Sequence, residues 1–255
     1  MKQDLQNERS GVSCPMEQVP PSRVKDFRRA SRPGDSRFTA YKLGTYAIAE
    51  FTLEKVLLLS DALEEDNFSL AAEIIHRNAD LAVMIRANTA LSYQAVLEIT
   101  SAMKNSSGTE LQSNATPSIT NVNPLHFVLS GIRITSYLHQ MGNFSAHCAG
   151  IFLRKNMPKK IFSSDTKLNI ILSRLVTSVG IAIEHFVEEK ARTFGLISKI
   201  TRENREDCIS YFSSSMHKKR LERKAFTDLS FTLHNFVNIS DAALIITKES
   251  KAIFS

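Results

Sequence analysis

The residues of this chain best placed to do chemistry together form two short constellations of one design. Leu138-His139-Gln140-Met141-Gly142-Asn143-Phe144-Ser145 and Leu233-His234-Asn235-Phe236-Val237-Asn238-Ile239-Ser240 share the pattern L-H-x-[MF]-x-N-[FI]-S at an offset of 95 residues. Residues four apart share a helix face, so His139 lies beside Asn143 and His234 beside Asn238. A neutral imidazole can bind zinc, copper or iron, whereas an Asn carbonyl is a weak partner for them. Glu203 and Asp207 repeat the spacing with carboxylates, whose anionic oxygens suit hard or borderline cations. These six side chains are the candidate metal ligands. The competing reading is that they are partly buried polar groups hydrogen-bonded to a neighbouring helix, the commonest way such groups are satisfied. No P-loop, Gly-rich dinucleotide turn or G-x-S-x-G elbow accompanies them, so no catalytic or cofactor-binding residues are assigned.

The elements that would position these groups are helical throughout. Tyr46, Ala49, Leu53, Val56, Ser60 and Leu63 step by three and four, placing them on one face of a first helix. A second helix, 69–104, carries Leu70, Ile74, Leu81, Met84, Leu91 and Ala95 at the same spacing. A Ser/Asn/Thr-rich loop follows over 104–123. Asn123-Pro124 then reads as a helix start, because Asn caps free amides and proline is preset for the first turn. The third helix has the seam Phe127, Gly131, Ile134, Leu138, Met141, Ser145, Cys148 and Phe152, alternating steps of four and three as in helices packed nearly antiparallel. It ends in a basic turn before Pro158.

A fourth helix with the seam Leu168, Leu172, Leu175, Val179, Ala182 and Phe186 should break near Gly195. A charged fifth helix spans 196–217, and a sixth runs from Phe226 with Leu229, Leu233, Phe236, Ser240 and Ala243 on its seam. The expected fold is therefore all-α: two tandem three-helix repeats, 38–160 and 161–255, forming an elongated six-helix bundle. Residues 1–37 hold four of the seven prolines and no sustained apolar period, and read as a disordered basic tail.

Composition narrows the function classes. The 255 residues suffice for a sizeable core. Three widely separated cysteines without a CxxC pair indicate neither a disulfide framework nor a structural zinc site, which fits a reducing, cytoplasmic setting. The start 1–10 is polar, without the apolar core of a signal peptide. The most apolar stretch, 168–186, is interrupted by Arg174 and ends at Glu184 and His185, short of the ~18 uncharged apolar residues expected of a membrane span. The net charge of +6 is a mild basic bias. The run His217-Lys218-Lys219-Arg220 lacks interleaved aromatic residues and no recognition helix is visible, so nucleic acid is disfavoured as a partner.

With its duplicated motif, helix order and Met141-Gly142 step, the chain over 38–255 resembles the PhoU family of phosphate-signalling regulators, six-helix proteins built from two three-helix repeats. The family's third helix carries a motif of the type E/D-R-[IM]-G-D, whose place is taken here by His139-Gln140-Met141-Gly142-Asn143, with His234-Asn235-Phe236-Val237-Asn238 as the second copy. Glu73-Ile74-Ile75-His76-Arg77-Asn78 is similar to the family's second helix, and Lys199 to Asp207 looks like its counterpart in the second half.

In that family the E/D-x-x-x-D carboxylates are associated with bound metal ions. Here both copies read H-x-x-x-N, which removes four formal negative charges if the histidines are neutral. The resemblance thus implies zinc or iron sites that the substitutions should weaken or abolish. It further implies a non-enzymatic, cytoplasmic negative regulator that docks on components of a phosphate ABC transporter and on a sensor histidine kinase, and commonly a homodimer. Two alternatives stay open: a helical nucleic-acid-binding or general interaction protein, and a metal-binding helical bundle. Glu73-Ile74-Ile75-His76 supplies only one of the two E-x-x-H motifs that a di-iron site requires.

Overall fold

The computed structural model describes residues 36–106, 122–190, 194–218 and 221–255. Seven helices and no strands are found among them: α1 (Arg37–Glu65), α2 (Phe68–Ser106), α3 (Pro124–Phe152), α4 (Ile161–Ser164), α5 (Thr166–Val187), α6 (Phe194–Lys218) and α7 (Arg223–Phe254). The expected tail lies outside the described residues except at its end. There the helix begins one residue earlier than the 38 boundary, because the Ser36 side chain accepts the Thr39 amide and caps it. The Asn123 cap forms as the sequence indicates, its side chain accepting the amides of Leu125 and His126 ahead of Pro124. Asn67 does the same for Ser69 and Leu70 at the start of α2. Of the long loop, 107–121 lies outside the described residues, and α2 runs on to Ser106.

Two local expectations need correction. Gly195 is not a break between helices but stands in the first turn of α6. Helix α5 ends earlier, where Glu189 takes a left-handed backbone with φ of 59° and its amide bonds the Phe186 carbonyl. The one-turn α4, absent from the sequence reading, buries Ile161 and Phe162 and is too short to carry a periodic signal.

Helices α1, α2 and α3 pack on one another, as do α5, α6 and α7. The two groups are joined by α3 against α7 and α1 against α5. This leaves α2 and α6 with one flank to solvent, where Val83, Tyr93, Leu97 and Ile209 are more than half exposed. Helix α3 touches three others, which explains why its seam is buried along its whole length, from Phe127 to Phe152. At one end, Phe127 makes ring contacts with Phe38, Tyr41, Tyr46, Phe186 and Phe254, tying α1, α3, α5 and α7 together. By length and composition α5 and α7 could each cross a membrane, despite Arg174 within α5. In the fold their apolar seams face the bundle interior, with Leu168, Leu172, Leu175, Val179 and Phe186 fully buried, as are Phe236, Ile239 and Ala243.

Candidate functional site

The first copy of the motif lies where α1, α2 and α3 meet. Gly142 makes room there: a Cβ on it would collide with Leu81 of α2 and come within 3.5 Å of the Lys55 ammonium. Lys55, on α1, is fully buried. Its Nζ donates to the Asn78 Oδ1 of α2 at 2.6 Å and to the Gly142 carbonyl of α3 at 3.1 Å. Asn78 in turn donates from Nδ2 to the Asn143 Oδ1 at 3.0 Å. A single chain of hydrogen bonds therefore links all three helices, with a cation at its origin. Burial pushes the Lys55 amine down to about 8, because an ammonium taken out of water loses hydration that neutral oxygens only partly replace.

Arg77, the residue before Asn78 in α2, lies between two carboxylates. Its Nη1 is 2.6 Å from Glu54 of α1 and its Nη2 2.7 Å from Glu73 of α2. Hydrogen bonding to Glu54 is the main reason the guanidinium is held above its ordinary pKa. The second group of helices is built similarly. Arg174 of α5 pairs with both Asp207 and Glu203 of α6, the latter at 3.6 Å. Beside them the buried Asn204 donates to the Ser240 hydroxyl of α7 at 3.0 Å.

The six candidate ligands are not brought into one site. Asn143 is hydrogen-bonded to the neighbouring helix through Asn78. Glu203 and Asp207 do come together, but around Arg174. His139 is half-buried, His234 exposed and Asn238 half-buried, and the side chains of these three make no hydrogen bond or ion pair with other described residues. No group of three or more His, Cys, Asp or Glu side chains that could hold a metal ion exists among the described residues. Nor do the two copies of the motif behave alike. Ser240 receives an interhelical hydrogen bond, whereas its counterpart Ser145 turns back onto the Met141 carbonyl of its own helix.

Sequence reasoning missed Lys55, Arg77 and Arg174 as members of the site, because lysine and arginine have no place in a search for metal ligands. The signal available was Lys55 itself, a basic residue immediately before Val56 of the apolar seam of α1. Also missed was the polar contact across the α3–α7 seam, where Asn235 and the His147 Nδ1 lie 3.1 Å apart. The run at 217–220 lies outside the residues whose side chains are described.

The fold defines a class: the chain is a PhoU-like helical bundle. It is similar to the crystal structure of PhoU from Pseudomonas aeruginosa, with a TM-score of 0.59 at 13% identity, over 91% of this chain and 96% of that one. A PhoU-like protein from Shewanella oneidensis MR-1 is similar over 91% of this chain and 99% of its own, at 11% identity and a TM-score of 0.48. No protein-family model and no curated protein matches the sequence.

Proposed function

We propose that this protein is a non-enzymatic negative regulator of phosphate uptake and phosphate-responsive signalling. In this reading it works in the cytoplasm, as a homodimer, by docking on components of a phosphate ABC transporter and on a sensor histidine kinase. The observation that carries the proposal is the likeness of fold to PhoU of Pseudomonas aeruginosa along nearly the whole of both chains. Since one fold can host unrelated functions, the motif at Met141-Gly142 and its second copy add the support that architecture alone would lack. The exposed apolar side chains of α2 and α6, Tyr93 and Leu97 among them, supply surface that a docking protein needs.

The test is deletion of the gene, with phosphate uptake and phosphate-responsive transcription followed at high and low phosphate. Loss of the repression normally seen at high phosphate is the expected result, reversed by the intact gene. Unchanged uptake and transcription in both conditions would refute the proposal. Co-purification from the same cells at both phosphate levels identifies the transporter and kinase components that bind.

A further inference from the structure

We infer that this chain carries resident cations at the junctions where the PhoU resemblance would place metal ions, with Lys55 and Arg77 in the first group of helices and Arg174 in the second. A divalent ion in a helical bundle neutralises carboxylates that converge from different helices and cross-links those helices. To do so it requires several anionic or imidazole donors around one point. The junction of α1, α2 and α3 offers a different donor set. The groups that converge on Lys55 are two neutral oxygens, the Asn78 amide and the Gly142 carbonyl, and the charge at their centre is an ammonium. A metal ion at that point would meet like charge and weak ligands. Its cross-linking role is filled by Lys55, which reaches from α1 to both neighbours and, through Asn78, orients Asn143.

The acidic groups nearby are taken in the same way. Glu54 and Glu73, from two helices, share Arg77, and Glu203 and Asp207 share Arg174 of the facing helix. A guanidinium is suited to this, since its planar fork can serve two carboxylates at once. Where the first copy of the motif has His and Asn in place of acidic residues, Lys55 stands at the centre of its junction, and the acidic residues on the neighbouring helices are matched by Arg77 and Arg174. Charge that a metal supplied from outside is supplied by the chain.

The test uses the full-length protein, purified without chelator. Bound transition metals are quantified by mass spectrometry, and thermal unfolding is followed with and without EDTA, for the wild type, Arg174→Gln and Arg174→Lys. The wild type should hold only substoichiometric metal and unfold at the same Tm in EDTA. Arg174→Gln leaves Glu203 and Asp207, one turn apart on α6, with only the exposed Lys199, 3.9 Å from Glu203, as a nearby cation. Its Tm should fall, and added Mn²⁺ or Zn²⁺ should raise it again while leaving the wild type unaffected. Arg174→Lys should keep most of the stability and ignore the metal. A near-stoichiometric metal in the wild type whose removal lowers Tm would overturn the inference, as would an Arg174→Gln variant with unchanged Tm. If Arg174→Gln fails to fold, folding of Arg174→Lys supports the role of charge, and an equally complete failure of Arg174→Lys refutes it. These readouts are independent of phosphate-responsive transcription, so this inference and the proposed function can fail separately.

Discussion

Replacing Lys55 with Met removes the buried charge at the junction of α1, α2 and α3 while keeping a flexible chain of similar length. In the unfolded chain the lysine amine holds its proton up to its ordinary value of 10.5, but in the folded protein burial lets it go near 8. Between these limits the unfolded state binds more protons, so raising the pH stabilises the folded state relative to it. Each unit of separation corresponds to about 1.4 kcal/mol, so the full span is about 3 kcal/mol. Below pH 8 the whole cost of burying the ammonium is present, and it disappears progressively towards pH 10.5. Over pH 7.5 to 9.5 the wild type should therefore gain about 2 kcal/mol relative to Lys55→Met.

Urea unfolding of both proteins at a series of pH values measures this. Only the difference between them is used, because the buried thiols and tyrosines titrate in both. A difference that stays flat to within about 0.5 kcal/mol, near the scatter expected of extrapolated stabilities, would mean that Lys55 is not held as a desolvated ammonium. The reasoning about the three-helix junction would then be wrong.

Two glycine substitutions should move stability in opposite directions. Gly142→Ala places a methyl group against the side chain of Leu81, which is fully buried and cannot step aside, so overpacking should outweigh the gain in helix propensity by about 1–2 kcal/mol. Gly180→Ala, in α5 with nothing within 4 Å of the new Cβ, should stabilise by about 0.5–1 kcal/mol, and urea midpoints distinguish the two. Burial pushes the Cys148 and Cys208 thiols up to about 12, so neither should react with a thiol reagent at pH 8 until the protein unfolds. Because the folded thiols keep protons that the unfolded ones release above pH 9, stability should fall over pH 9 to 10.5, and Cys148→Ala should make that fall shallower.

The helices and their inward faces were legible because burial on a helix leaves a period in the chain. Every position of the α3 seam and of the α5 seam is buried, and the Asn123-Pro124 start forms with the expected cap. Those features depend on residues a few places apart, which a sequence displays directly. The repeat at 138–145 and 233–240 was visible in the same way, and with the helix order it pointed to the PhoU-like bundle.

What the sequence could not determine was who faces whom across the bundle. His139, Asn143, His234 and Asn238 formed a consistent set on paper, yet only Asn143 has an interhelical partner, and that partner is an amide. Glu203 and Asp207 kept a ligand spacing, but the residue opposite them, 29 positions or more away in the chain, is an arginine. Charge compensation is a short-range interaction between atoms that the fold brings together from distant parts of the chain. Spacing along one helix fixes which residues share a face, while the identity of the group that meets that face is decided only when the helices pack.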